Sequence, residues 1–361
     1  MLNQKFKITV RQALIIFILV TLSPAIRIFP QHSALADTAF WTTPLISVIP
    51  LFILLAILNA FFKNNKANDL GDVFELALGK IAAKALLSVY LSWSILLFFL
   101  YIRYFVERLN TSIFPNTNPK FFIIAMLILV LIAAWGRMET FARFAELLIL
   151  IFTIVFIVFF LLLAPTVQFG NLYPVTYYDI LPALKGSLTV ISIWGYVFLL
   201  FFLGQYIFNK DRLKKYSKKA VWYLAIMTTL MMICTVGSLG PENTTKIPLP
   251  FFSSVKQIDF LKTFDRFEAV LLSAWIVMDF IIITFFAKVI MSITQKLFHT
   301  SHARYFAFPI VLLGYIGSLF IAINRFELEQ FSDQLMLPGN AILFYIVPIL
   351  ILVIGKIRKK I

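Results

Sequence analysis

A serine, a proline and an arginine interrupt the first apolar run of the chain, in the stretch TLSPAIRIFP. Proline has no amide hydrogen, so it breaks a helix in the interior but suits the first position of a new helix. Ser23 is then the N-cap of a half-helix that begins at Pro24, and the amides of Ala25, Ile26 and Arg27 are left without partners. Such a helix end attracts a carboxylate or another anion. The stretch therefore predicts an anion-binding break in the first helix.

Two charged residues, Arg27 and Asp279, lie within apolar runs, where an ionised side chain needs a partner or water. Arg27 lies one turn from the outer end of its run. It either extends to the lipid headgroups, pairs with an acid such as Glu107, or contacts a ligand carboxylate. Asp279, in WIVMDFIIITFF, has no basic residue within a helical turn. It either carries a coupling proton or contacts an amine, or it makes a hydrogen bond between helices.

A second candidate break lies in the stretch SIWGY, which holds Ser192, Trp194, Gly195 and Tyr196. Glycine weakens a helix and lets a ligand approach the backbone, and the two aromatic side chains can line a pocket. Glycine in a membrane helix also marks close packing between helices, so both interpretations stay open. Tyr101, in the third run, is a candidate ligand contact, with aromatic packing as its alternative.

The composition of the chain indicates which elements position these residues. Of its 361 residues, 61% are hydrophobic and 14% are charged, whereas soluble domains have about 45–50% apolar and about 25% charged residues. We therefore expect a polytopic membrane protein. The net charge of +15 lies in short segments between apolar runs, so no nucleic-acid surface is expected. The one cysteine, Cys234, lies inside an apolar run and the three histidines lie outside the runs, so we expect no metal, no cofactor and no catalytic residues.

Ten apolar runs are long enough to cross a membrane as helices, since about 20 residues span the hydrocarbon core. They lie at residues 8–30, 40–62, 84–107, 119–136, 144–164, 186–208, 219–239, 268–290, 304–323 and 340–356. With the N-terminus placed inside, 22 of the 32 lysines and arginines fall in inside segments. Positive residues concentrate on the cytoplasmic side, so both termini are expected in the cytoplasm.

Ten spans divide into two halves of five, and halves with an odd number of spans face opposite ways across the membrane, as in inverted-repeat transporters. Within a single domain of residues 1–361, repeat one then covers about 8–164 and repeat two about 186–356. Spans one and six, the first of each repeat, are expected to be discontinuous. In the outer loop at 240–267, apolar positions from 251 to 264 recur at helical spacing and predict an interfacial helix over the outer mouth.

The stretch FDRFEAVLLSAWIVMDF resembles a motif of the spore germination permease family, the B subunits of GerA-type germinant receptors. Arg266, Phe267, Glu268 and Trp275 lie on that motif. The loop IPLPFFSSVKQIDF, the stretch GSLTVISIWGY and the stretch RIFP are also similar to the family's sequences. The resemblance covers essentially the whole chain.

This resemblance implies the amino-acid/polyamine/organocation transporter superfamily, whose fold is a five-plus-five inverted repeat. It implies a subunit in the inner membrane of a bacterial spore. There it would work with an A subunit and a lipoprotein C subunit to sense a germinant such as an amino acid and to trigger germination. Where superfamily members carry a Gly-x-Gly break in span one, this chain has Ser23-Pro24-Ala25. We expect a receptor subunit and not an enzyme; the alternative is a proton-coupled amino-acid or amine transporter that uses Asp279.

Overall fold

The computed structural model describes residues 7–63, 67–258 and 267–360. Up to residue 208 the elements are β1 (Ile8–Thr9), α1 (Val10–Ser33), α2 (Thr43–Phe62), α3 (Leu70–Leu78), α4 (Lys80–Ser112), α5 (Pro119–Trp135), α6 (Met138–Leu163), α7 (Ile180–Trp194), α8 (Tyr196–Leu200) and β2 (Ile207–Phe208). After residue 208 follow α9 (Leu213–Leu239), α10 (Pro241–Lys246), α11 (Pro250–Lys256), α12 (Phe267–Phe298), α13 (Ala307–Phe320), α14 (Arg325–Phe331), α15 (Leu337–Ala341) and α16 (Val347–Ile357).

Eight segments of the described residues are long and apolar enough to cross a membrane. The first of them, Val10–Phe62, holds both α1 and α2, which a 3-10 helix at Ala34–Thr42 separates. Helix α5, with 17 residues, is apolar but shorter. Helices satisfy their own backbone hydrogen bonds, which lipid requires. The chain is therefore a multi-pass helical membrane protein, as its composition predicts.

The predicted break in span one is wrong, because α1 is one continuous helix. The helix passes through Pro24 and Pro30 without interruption. Its N-cap is Thr9, whose hydroxyl accepts a hydrogen bond from the Gln12 amide, and not Ser23. Helices α6, α7, α9 and α12 all pack against α1. Packing from several sides stabilises a proline-containing helix that lacks a backbone hydrogen bond, so no half-helix begins at Pro24.

The sixth predicted span is interrupted at Gly195, in agreement with the sequence. Helix α7 ends at Trp194, and α8 is followed by a 3-10 helix at Phe201–Tyr206. A Cβ atom at Gly195 would lie 2.9 Å from Cβ of Phe344 in the last span, so only glycine allows this close approach. Strand β2 follows and pairs in parallel with β1, which joins the end of span six to the start of span one.

The predicted helix of the outer loop is shorter than its apolar pattern indicates. Helix α11 ends at Lys256, and Phe251, Phe252 and Val255 on its apolar face are buried. The Phe251 ring packs against phenylalanine rings of α6, including Phe159 at 6.5 Å between centroids. Residues 259–264 of the predicted helix lie outside the described part of the chain.

The last span is longer than the predicted run at 340–356. Helical backbone extends from Arg325 to Ile357 and includes two π-helical turns, at Ser332–Met336 and Ile342–Ile346. The additional N-terminal part, from α14 to the first π turn, is polar and forms one wall of the cleft described below. Its polarity explains why hydropathy alone placed the start of the span too late.

Candidate functional site

Ser23, Arg108, Trp275 and Asp279 form a buried polar cluster where α1, α4 and α12 meet. Arg108 makes an ion pair with the Asp279 carboxylate, and the two side chains are 2% and 4% exposed. The Ser23 hydroxyl donates to the other carboxylate oxygen. The Trp275 indole Nε1 donates to Ser23 over 3.2 Å, and its ring lies 4.2 Å below the Arg108 guanidinium. Each buried charge has a partner, and the cluster connects the three helices.

Asp279 therefore takes part in a contact between helices, one of the roles that the sequence left open. Its partner was missed because Arg108 lies on α4, and the rotation of a helix is not fixed by hydropathy when most of its residues are apolar. A signal was present in the spacing: Arg108 lies four residues after Tyr104 and seven after Tyr101, on one face of a helix.

A charged cleft opens beside this cluster, at the C-terminal ends of α1 and α4 and around α14. The space in and above it, counted together with the open solvent at its mouth, is about 600 Å³. The polar residues that define it include Arg27, His32, Tyr104, Arg108, Glu329 and Asp333. Because Arg108 lines the cleft and also pairs with Asp279, it connects the cleft to the cluster.

The acidic residues of the cleft each have a basic partner. The pairs are Glu107 with Arg103 at 2.6 Å, Glu329 with Arg325 at 2.5 Å, and Asp333 with His32 at 3.6 Å. The predicted pair of Arg27 with Glu107 is therefore wrong, because Arg103 lies one turn before Glu107 on the same helix, where side chains meet. Among the described residues, no group of three or more His, Cys, Asp or Glu could hold a metal ion. The cleft instead presents mixed charge to a small polar molecule.

Arg27 is the cation of the cleft that has no acidic partner among the described residues. It is 9% exposed, and its guanidinium carbon lies 3.4 Å from the centre of the Tyr104 ring. Within the described part of the chain its Nη2 atom has no hydrogen-bond partner. A buried donor without an acceptor costs about 1–3 kcal/mol, and more when it is charged. The geometry thus favours the binding of an anion beside Arg27. The hydrogen-bond donors for that anion are those of the arginine side chain and not helix amides.

The other residues of the predicted first break do not form an anion site. Pro24, Ala25 and Ile26 are buried inside the continuous helix α1, and the cleft lining does not include them. Of the residues of the predicted break, Arg27 lines the cleft, and its contact with a ligand stays a prediction.

Tyr101 and Tyr196, two of the candidate ligand contacts, meet in the interior. The hydroxyl groups of Tyr101 and Tyr196 are 2.8 Å apart, and the Asn340 amide donates to Tyr196 over 3.4 Å. Both tyrosines also pack against the Phe286 ring. This contact joins α4, α8, α12 and α15, but neither tyrosine lines the cleft.

Ser192, Trp194 and Gly195 hold the last span against α7. The Ser192 hydroxyl donates to the Leu337 carbonyl over 2.5 Å, and Gly195 packs against Phe344. Trp194 is fully buried, and its Nε1 has no partner among the residues that the structure describes. The cleft lining does not include these three residues. At the second candidate break they pack α7 against the last span.

The residues of the resemblance motif have different positions. Arg266 lies outside the described residues. Phe267 begins α12 and Glu268 is half-buried in its first turn. Trp275 belongs to the buried cluster with Ser23. The motif therefore contributes directly to the contact of α1, α4 and α12.

Comparisons with known proteins support this architecture. Residues 7–326 match the family model described as spore germination protein. The chain is 24% identical to spore germination protein KB of Bacillus subtilis strain 168, over 99% of this chain and 96% of that protein. It is 21% identical to YfkT of the same organism, which is named a spore germination protein by inference. That match covers 65% of this chain and just under two thirds, 64%, of YfkT.

Among solved structures, the fold is similar to that of the transporter MhsT, crystallised in complex with L-phenylalanine. The TM-score is 0.61 over 91% of this chain and 87% of MhsT, at 17% sequence identity. At that identity the likeness shows the fold alone. From the family match and this architecture together, the chain belongs to the spore germination protein family and has the fold of a membrane transporter.

Proposed function

We propose that the protein is the nutrient-sensing membrane subunit of a spore germinant receptor, and that an amino-acid germinant binds in the cleft beside Arg27. The observation that carries the proposal is the buried guanidinium of Arg27, whose Nη2 has no partner among the described residues. Guanidinium groups bind carboxylates through strong charge-assisted hydrogen bonds. Family membership supports the role in germination, and the amino acid bound to MhsT supports a ligand of this size for the fold.

Asp333, which also lines the cleft, suits the ammonium group of such a ligand. Asp333 lies 3.6 Å from Nε2 of His32, a separation longer than a hydrogen bond, so its carboxylate has capacity for another donor. Glu329 lies on the same wall. The cleft therefore holds a cation without an acidic partner among the described residues and an Asp333 carboxylate that can accept a further donor, which match the two charges of a zwitterion.

Arg108 is the residue through which binding would be transmitted. It lines the cleft and pairs with Asp279 of α12, while Ser23 of α1 donates to the same carboxylate. A ligand carboxylate near Arg27 and Arg108 competes with Asp279 for the guanidinium. Binding then favours the conformer in which the contact of α4 with α12 is rearranged, because a ligand shifts an equilibrium by its differential affinity. Partner subunits would detect that change.

The finer membrane architecture is part of the same proposal. If Val10–Phe62 is counted as two spans and α5 as one, the candidate segments give ten spans, with repeats at about 8–164 and 186–356 in one domain. Both termini are proposed to lie in the cytoplasm, the location is the inner membrane of the spore, and the partners are the A subunit and the lipoprotein C subunit. We assign no enzymatic activity, since the proposed role requires only binding and a conformational change. Accessibility of single engineered cysteines in successive loops tests the topology.

The experiment that tests the function is amino-acid binding to the purified protein in nanodiscs, followed by uptake of any bound ligand into proteoliposomes. Binding without uptake is the expected result for a receptor. The alternative, a proton-coupled amino-acid or amine transporter, is favoured by the transporter fold. It predicts accumulation under a pH gradient that the substitution Asp279→Asn abolishes. A wild-type protein that binds no member of the panel would contradict both.

In spores, deletion of the protein should remove the germination response to the amino acid that binds in vitro. An unchanged response to that amino acid, in a strain without a second receptor of this family, would refute the receptor role.

A further inference from the structure

The first turns of α9 carry a group of exposed cations that make no ion pair with the described residues. Arg212 precedes the helix, and Asp211 is the only acidic residue from 209 to 230. Lys210, by contrast, is half-buried and donates to the Asn68 carbonyl. The exposed lysines are Lys214, Lys215, Lys218 and Lys219. Their charge has no partner in the described part of the protein and is available to an anion from outside.

One face of α9 continues from these lysines into apolar residues. Six residues fall within a sector of about 120° when successive residues rotate by about 100°: Lys215, Lys218, Lys219, Trp222, Ile226 and Leu230. We call this face the α9 stripe. Its tryptophan is 53% exposed, and its isoleucine and leucine are 55% and 38% exposed.

The order of side chains along the α9 stripe matches the layers of a bilayer. Tryptophan prefers the level of the headgroups, and aliphatic side chains face the hydrocarbon. Lys218 precedes Trp222 by four residues, about 6 Å along the helix axis. The lysines therefore lie on the polar side of Trp222, at the depth of the phosphate groups, while Ile226 and Leu230 face the acyl chains.

We propose that the α9 stripe is a binding site for an anionic phospholipid such as phosphatidylglycerol. The lysines contact the phosphate and the negative headgroup, and one acyl chain lies along Trp222 and Ile226. Charge complementarity selects an anionic over a zwitterionic headgroup. The occupant is a lipid and not an acidic protein segment, because the basic end of the stripe is continuous with the lipid-facing apolar surface of the same helix. None of these residues lines the cleft, so the inference is independent of the proposed germinant site.

The test is quenching of tryptophan fluorescence in phosphatidylcholine nanodiscs that contain either brominated phosphatidylglycerol or brominated phosphatidylcholine. The difference between wild type and Trp222→Phe isolates the signal of Trp222. In the wild type, Trp222 should be half-quenched at a lower mole fraction of brominated phosphatidylglycerol than of brominated phosphatidylcholine. The selectivity is the ratio of the second mole fraction to the first. Each lysine near an anionic surface contributes about fivefold. The double variant K218Q/K219Q should therefore lose selectivity about fivefold per lysine, until the ratio reaches one.

Two controls separate a local site from general attraction. K359Q/K360Q removes the same charge from exposed lysines elsewhere and should keep wild-type selectivity, and K218R/K219R should keep it as well. A selectivity of one in wild type would overturn the proposal, as would an equal loss in K359Q/K360Q. Unchanged lipid selectivity in K218Q/K219Q, with weaker assembly with partner subunits, would assign the stripe to a protein and also overturn it.

Discussion

Removing one charge of the Arg108–Asp279 pair should destabilise the protein at least as much as removing both charges. The side chains are 2% and 4% exposed, so neither charge is solvated once its partner is gone. The variant Asp279→Asn keeps the size of the side chain and an acceptor for Ser23, but leaves Arg108 without a counter-charge. Losing one member of a buried pair costs about 3–5 kcal/mol.

A double-mutant cycle gives the coupling energy between Arg108 and Asp279. Arg108→Met alone leaves the Asp279 carboxylate unpaired and should also cost about 3–5 kcal/mol. The double variant R108M/D279N contains no unpaired buried charge and should cost no more than either single variant. The coupling energy is then about 3 kcal/mol, at the upper end for residues in direct contact.

The assay is reversible denaturant unfolding in mixed micelles, with the free energy of unfolding measured for all four proteins. The Glu139–Arg143 pair on α6 is a matched control, since Arg143 is 72% exposed and exposed pairs contribute about 0–1 kcal/mol. A D279N protein within about 0.5 kcal/mol of wild type, or additive effects in the double variant, would refute the ion pair as a stabilising contact between α4 and α12.

Two further predictions concern contacts outside the cleft. Tyr101→Phe and Tyr196→Phe should each destabilise the protein by about 1 kcal/mol through loss of the 2.8 Å hydroxyl contact, and their effects in the double variant should be less than additive by the same unfolding assay. Burial raises the pKa of Asp72, but hydrogen bonds from Lys296 and from backbone amides outweigh it, so the pKa lies below its ordinary value of 3.8. A lowered carboxyl pKa stabilises the fold above about pH 4, and this contribution disappears as the pH falls through the folded-state value. Wild type should therefore lose stability below about pH 4 more steeply than Asp72→Asn, and equal slopes would contradict the prediction.

The helices could largely be predicted from hydropathy, because their apolar length is a direct requirement of the bilayer. Helix α2, for example, covers Thr43–Phe62 where the sequence indicated 40–62. The partner of Asp279 could not be predicted in the same way. It depends on which side of α4 faces α12, and most residues of α4 are apolar on every side.

The two candidate breaks show where local rules are sufficient. Gly195 interrupts its helix as expected, since glycine weakens a helix by itself. Pro24 does not, because the helices around α1 stabilise it, and those contacts are not local in sequence. The pair of Arg103 with Glu107 was visible as a spacing of four residues, and recognising it would have left Arg27 as the cation available to a ligand.

The central claim is that Arg27 binds the carboxylate of an amino acid, and calorimetric titration of wild type and Arg27→Gln tests it most directly. A charge-assisted hydrogen bond contributes about 1.5–3 kcal/mol, so the variant should bind the amino acid about 10- to 150-fold more weakly. Arg143→Gln, which removes one exposed positive charge on α6, should bind like wild type. The amide derivative of the same amino acid should bind wild type as weakly as the free acid binds Arg27→Gln. An Arg27→Gln protein that binds the amino acid with wild-type affinity would contradict the account.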